Sequence, residues 1–143
     1  HLKELTADNW EECVNLKIAL DESKFIRSNV YSIAQAQFYP KALSKAIYSD
    51  DVMVGYTLYG EDEDNKLLYY IDRFMIAEDS RTKGYGFQAL RLIVHQAKKE
   101  GFKALETSTH PENEKMQKLL LKSGFYTRNA MCNGEIVYHF DID

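Results

Sequence analysis

A chain of 143 residues, 45% hydrophobic and 28% charged with only two prolines, has the size and composition of one globular domain able to bury its own core. No apolar run approaches the roughly 20 residues needed to cross a bilayer, and the opening HLKELTADNW has no apolar signal region, so a cytoplasmic protein is expected, neither exported nor membrane-bound. The formal net charge of −4 speaks against a nucleic-acid-binding surface and suits a cationic small molecule.

In chain order, LKEL predicts a short strand. Thr6 or Asp8 can then cap a helix carrying Trp10, Cys13, Val14 and Ile18 on one face, with Glu11 placed for a capping box with Asp8. The segment SNVYSIAQAQFYP predicts a second helix from near Ser28, ended by Pro40. KAIYSDDVMVGYTLYG predicts two strands turning at Ser49 to Asp51, and the acidic loop GEDEDNK leads into a third, LLYYIDRFMIA. Phe87, Leu90, Ile93, Val94 and Ala97 recur at helical spacing and stop at Gly101. FKALETS predicts a strand, and PENEKMQKLLLKSG a helix with Met116, Leu119 and Leu120 inward and Gly124 as terminator. FYTRNAM and EIVYHFDI close the chain as two alternating strands. Strands outnumber crossover helices, so the expectation is one α/β domain over residues 1–143 on a mixed sheet. Most of the ten tyrosines fall on strands, where they favour core and sheet packing.

Cys13 and Cys132 have no second ligand-type residue at metal spacing, and the four histidines form no H-x-x-H pattern. Two reduced, buried cysteines and no metal are expected.

Residues 81–86, RTKGYG, set paired glycines after two basic side chains. Alone they read as a solvated turn or as a loop admitting a ligand close to the backbone, with a following helix aiming N–H groups at an anion. Gly84, Gly86 and Ala89 also spell G-x-G-x-x-A, with Glu106 at the distance of a ribose-binding acid. The dinucleotide reading fails because EDSRTK separates the strand from Gly84, and because about 57 residues are too few for the rest of such a domain. A P-loop fails because no Lys-Ser or Lys-Thr follows the second glycine.

A long strand, a basic loop with paired glycines, an amphipathic helix, another strand and a helix ending SGF together resemble the GCN5-related N-acetyltransferase (GNAT) superfamily. Its Q/R-x-x-G-x-G/A loop is matched by Arg81, Gly84 and Gly86, and its Asn followed about eleven residues on by Gly-Phe by Asn113, Gly124 and Phe125. FIRSNVYSIAQAQFYP, VMVGYTLYG and YYIDRFMIAEDSRTKGYG further resemble the bacterial spermine/spermidine acetyltransferases.

The resemblance implies a mostly antiparallel central sheet flanked by helices, acetyl-CoA as donor without a metal, a primary amine as acceptor, and a homodimer. It also implies site residues. Met75 and Ile76 would pair by backbone with the pantetheine arm. Arg81, Thr82, Lys83, Gly84, Tyr85 and Gly86 would offer N–H groups, charge and a helix dipole to the pyrophosphate. Asn113 would sit by the pantetheine. Lys122 would reach a phosphate or remain a solvated side chain. Tyr31 and Gln35, four apart on the second predicted helix, would border the acceptor groove or simply pack.

Transfer to an amine needs the neutral amine, yet an alkylamine with a lysine-like pKa is protonated at pH 7 by about 3.4 units, roughly 4.6 kcal/mol. Asp72, four residues before Ile76, where the resemblance implies an acidic group, is the candidate general base or substrate anchor. A direct pair with Arg73 is not expected, since neighbours on a strand face opposite ways. The position that often holds a thiolate-protonating tyrosine is Leu120 here. Tyr126 or Tyr85 could serve instead, or the thiol, of pKa about 8.5, could leave unaided. The acidic run 61–64 could attract a polyamine or be a solvated loop. The expected function is acetylation of a polyamine-type acceptor by direct attack in a ternary complex. The alternatives are another amine (antibiotic, amino acid or protein N-terminus) or a non-catalytic acetyl-CoA-binding protein.

Overall fold

The computed structural model describes residues 1–143. Strands β1 (Leu2–Glu4), β2 (Ala42–Ser49), β3 (Val52–Glu61), β4 (Leu68–Ile76), β5 (Ala104–Thr109), β6 (Tyr126–Cys132) and β7 (Glu135–Asp141) form one sheet in the order β1-β2-β3-β4-β5-β7-β6. Only the β4–β5 pair is parallel, because α3 (Tyr85–Lys99) crosses between those strands; every other pair is antiparallel.

Two helical layers explain the burial pattern. The apolar stripe of α3, with Leu90 and Ile93 fully buried, packs on Val54, Tyr59, Tyr69, Ile71 and Phe74. Burial of each such side chain contributes about 1.5–3 kcal/mol, and Ile93→Ala would cost about 2–5 kcal/mol. On the other face, α1 (Trp10–Val14) and α2 (Asn29–Ala36) cover Ala46, Met53, Tyr56, Leu58 and Met75. Covered on both sides, β3 is buried from Met53 to Gly60. The tyrosines behave as expected at the centre: Tyr59 and Tyr69 are buried, and their hydroxyls reach Gln96 (2.6 Å) and Glu100 (2.8 Å) near the end of α3.

The N-terminal region departs from expectation. Helix α1 starts at Trp10 with Asn9 at its cap position and no side-chain capping bond, so neither Thr6 nor Asp8 caps it. Asn9 Oδ1 instead accepts from the Thr6 N–H (2.7 Å). The helix stops at Val14, leaving Ile18 outside it. Ser28 does cap α2, accepting the Tyr31 N–H at 3.1 Å, but the helix ends at Ala36, before Pro40. Short helices held by packing rather than propensity lose their last turns when the chain must leave for the next strand. Helix α4 (Glu114–Lys122) follows β5, and Gly101 and Gly124 terminate α3 and α4 with positive φ. Cys13 is buried, but Cys132 is exposed because no helix covers the edge strand β6.

Candidate active site

The site begins where two strands part. β5 pairs with β4 only from Leu68 to Ile71, opposite Ala104 to Thr107, so beyond Ile71 that edge of β4 has no neighbouring strand. Two side-chain bonds pin the fork: Thr107 Oγ1 donates to the Ile71 carbonyl (2.8 Å), and the Tyr70 hydroxyl bonds Ser108 Oγ (2.9 Å). On the other side β3 pairs Leu58 with Arg73 and Tyr59 with Ile71, so Asp72 is the extra residue of a β-bulge. A bulge re-aims the side chain it carries. Asp72 therefore sits where β4 has left β5 and is locally out of register with β3.

A cleft of about 210 Å3 opens beside this fork. Phe74, Met75 and Ile76 form its β4 wall, and Met116, Leu119 and Lys122 its α4 wall. Between them lie Arg81, Thr82, Gly84, Tyr85 and Gly86. The Lys122 ammonium is 5.3 Å from the centre of the Phe87 ring. Lys83 is exposed and does not line the cleft. Asn113 does not line it either: it is buried, and its Oδ1 caps α4 by accepting the Met116 N–H at 3.3 Å.

The loop suits an anion. Thr82 (φ +65°) and Gly84 (φ +82°) both adopt left-handed geometry, and Gly84 caps α3 without a side chain. No N–H from residue 82 to 87 donates to a protein acceptor, so these donors are free at the start of a 15-residue helix, and all of these residues but Lys83 line the cleft. At Gly86 a Cβ would lie 2.9 Å from Leu119 Cδ2, where α3 approaches α4, so a side chain there would require only the end of Leu119 to shift. The Arg81 guanidinium, by contrast, is already engaged, with Nη1 3.0 Å from Asp21 and Nη2 2.7 Å from Glu22.

Asp72, Arg73, Tyr31 and Gln35 do not line this cleft; they form a cluster of side chains at the bulge beyond it. Burial, opposed by Arg73 and reinforced by the charges of Asp62 and Glu63, raises the Asp72 carboxyl from its ordinary 3.8 to about 6, even though the side chain reaches solvent. Arg73 does not pair with that carboxylate; its Nη1 donates to the Asp72 backbone carbonyl (2.7 Å) and its Nη2 to Gln35 Oε1 (3.2 Å). Its Nε is buried without a partner. The Tyr31 ring lies 4.5 Å from the Arg27 guanidinium and 5.9 Å from that of Arg73. Tyr31 and Gln35 therefore do share a face, and that face meets Arg73. The run at 61–64 divides: Glu61 pairs with Lys41, while Asp62 and Glu63 act on Asp72.

Leu120 is fully buried in the core rather than in the cleft, and the Tyr126 hydroxyl is tied to Asp141 (2.7 Å) on the surface. Of Tyr126 and Tyr85, only Tyr85 lines the cleft. Sequence reading missed Arg73, Asp21 and Glu22. Arg73 was weighed only as a partner of the Asp72 carboxylate, which it is not, while its bond to Gln35 on α2 is a tertiary contact; the other two lie in an irregular segment without a pattern.

The model of the acetyltransferase (GNAT) family matches residues 4–125. No curated protein sequence matches significantly. Among solved structures, the PaiA N-acetyltransferase of Thermoplasma acidophilum, in complex with coenzyme A, is similar over 99% of this chain and 98% of its own at 14% identity and a TM-score of 0.75. An acetyltransferase of Thermus thermophilus covers 99% and 96% at 17% identity and 0.78. An acetyltransferase of Bacillus subtilis in complex with CoA covers 100% and 97% at 19% identity and 0.69. These neighbours share the fold, and the family match spans most of the chain: it belongs to the acetyltransferase (GNAT) family and is an N-acetyltransferase.

Proposed function

We propose that this protein transfers the acetyl group of acetyl-CoA to a primary amine of a polyamine such as spermidine or spermine, by direct attack in a ternary complex. The observation that carries this reading is the juxtaposition of two features: unsatisfied N–H groups at 82–87 beside the fork, and a carboxylate at the bulge with a second pair of acidic side chains acting on it.

Acetyl-CoA supplies an activated acyl group and a thiol leaving group. The residues present fit it: the N–H groups of 82–87 would receive the pyrophosphate, the free edge of β4 at Met75 and Ile76 would pair with the pantetheine arm, and Lys122 stands at the cleft for a phosphate. Two of the similar structures were solved with coenzyme A bound, which supports the assignment.

Asp72 would hold the acceptor ammonium and take its proton. A carboxyl near 6 is ionised at pH 7, yet closer to the amine in basicity than an ordinary aspartate, which suits a general base. The charges of Asp62 and Glu63 favour an acceptor with more than one cationic centre. No protein acid is required at sulfur, because a thiol of pKa about 8.5 departs without one.

One observation favours a second reading. The unpartnered Arg73 Nε beside Asp72 could receive a carboxylate, which would make the acceptor an amino acid or a peptide terminus. Initial rates of thiol release, with spermidine and acetyl-CoA varied together, test the proposal. Intersecting double-reciprocal lines are expected. Parallel lines would contradict direct transfer, and turnover of amino acids but not spermidine would favour the second reading.

A further inference from the structure

The Arg81 side chain looks like the natural partner of a pyrophosphate, but its surroundings assign it otherwise. Both terminal nitrogens are committed, to Asp21 at 3.0 Å and Glu22 at 2.7 Å, and only 19% of the side chain is exposed. Lys115 of α4 joins the same cluster, 2.5 Å from Asp21. Two cations facing two carboxylates leave no net positive charge to offer an anion. Glu22 is equally enclosed and lies on the cleft wall, so an Arg81 that swung toward a ligand would leave a carboxylate without its partner at the rim of an anion site.

The cluster is one of several stitches between the α1–α2 segment and the loop that precedes α3. The Lys17 carbonyl accepts the Glu78 N–H (2.8 Å), and the Lys17 ammonium pairs with Glu78 (3.0 Å). Immediately after Arg81, Thr82 holds φ +65°, a conformation a β-branched residue adopts only when its surroundings impose it.

We propose that Arg81 is a positioning residue and not a ligand of the donor: Asp21 and Glu22 hold its guanidinium, and this tether keeps loop 82–84 in the left-handed geometry that presents its N–H groups. The inference rests on the reading that residues 82–87 receive the pyrophosphate of acetyl-CoA. It reverses the sign of a simple electrostatic expectation. If Arg81 bound the anion, removing the carboxylates that occupy it would free its charge and tighten binding. If it is a tether, removing them loosens the loop and weakens binding.

The test is calorimetric titration of coenzyme A into the wild type, Glu22→Gln, Asp21→Asn, Arg81→Gln, Arg81→Lys and the double variant Arg81→Gln/Glu22→Gln. Backbone amide order parameters of residues 82–86 are measured by NMR on each ligand-free protein. The tether predicts that Glu22→Gln and Arg81→Gln each weaken binding about five- to tenfold, and that the double variant is no weaker than Arg81→Gln alone. Arg81→Lys, which keeps the charge but loses the two-pronged fork, should restore only part of the affinity. Order parameters at 82–86 should fall in every weakened variant, and the kinetic loss should fall on KM for acetyl-CoA rather than on kcat. Tighter binding by Glu22→Gln or Asp21→Asn, additive losses in the double variant, or unchanged order parameters would each overturn the tether. A wild type that does not bind coenzyme A would overturn the donor-site reading instead, and the order parameters would still decide the tether.

Discussion

The cleft and the bulge of β4 beyond it, the proposed donor and acceptor sites, are built differently. At the proposed donor site the atoms offered belong to the main chain: the N–H groups of 82–87 and the open edge of β4. At the proposed acceptor site they belong to side chains that do not line the cleft and come from distant elements, with Asp72 and Arg73 on β4, Tyr31 and Gln35 on α2, and Asp62 and Glu63 on the β3–β4 loop. A backbone site tolerates many side chains but few backbone changes, whereas a side-chain site can be retuned one residue at a time. On the proposed reading, donor binding would therefore be fixed by conformation, and acceptor choice by a handful of charges.

The largest expected effect is on the acceptor side. Asp72→Asn should lower turnover about 10²–10⁴-fold at neutral pH, measured by thiol release. The gap should narrow below pH 6, where the wild-type carboxyl is itself protonated, and again at alkaline pH, where the amine ionises without help. Stability moves the other way. Because the folded-state carboxyl titrates near 6 instead of 3.8, the native protein holds a proton the unfolded chain has lost, and wild-type stability falls as pH rises through that interval. The Asn variant lacks this loss, so its Tm should gain on the wild type between pH 4 and pH 7. Equal rates at pH 7 would remove Asp72 from the chemistry.

Next comes the donor backbone. A Cβ at Gly84 meets nothing within 4 Å, so Gly84→Val is opposed in the free protein only by its φ of +82°, at about 1–2 kcal/mol. It should weaken coenzyme A binding about tenfold by calorimetry, with spermidine KM unchanged. Undiminished affinity would count against the pyrophosphate assignment.

Gln35→Ala should have a smaller effect, a few-fold rise in acceptor KM, because it frees Arg73 Nη2 while the backbone bond to Asp72 persists. Acetyl-CoA KM should not move. If it rises instead, the two sites are not separable in the way described. The smallest effect belongs to Asp62→Asn with Glu63→Gln. Removing these charges should shift the acid limb of the pH–rate profile down by a few tenths of a unit and raise the KM of a polyamine about twofold, an increase that salt erases.

This division also explains what could be read from the sequence. The element order, the left-handed glycines ending α3 and α4, and the loop–helix junction at Gly84 follow from periodicity and glycine placement, which are local signals. Leu120 could be counted to, but its burial in the core follows only from the packing of α4 on the sheet. The bulge at Asp72 is a property of two strands in register and leaves no mark on either one, whereas the absence of an ion pair between Asp72 and Arg73 was legible from strand alternation. Asn113 was legible as a motif residue, yet its side chain caps a helix, a role that the same Asn-x-x pattern also encodes. Asp21 and Glu22 come from an irregular segment about 60 residues before Arg81, beyond any local rule.

The most direct test of the central claim, that a protein with a backbone donor site in the cleft and an acidic acceptor site at the β4 bulge acetylates polycationic amines, is a comparison of kcat/KM for spermidine and for a monoamine of the same length, at pH 7.5 and low salt. The account predicts a preference for spermidine of at least about tenfold that Asp62→Asn/Glu63→Gln diminishes. Equal specificity for the two amines, or a preference for the monoamine, would contradict it.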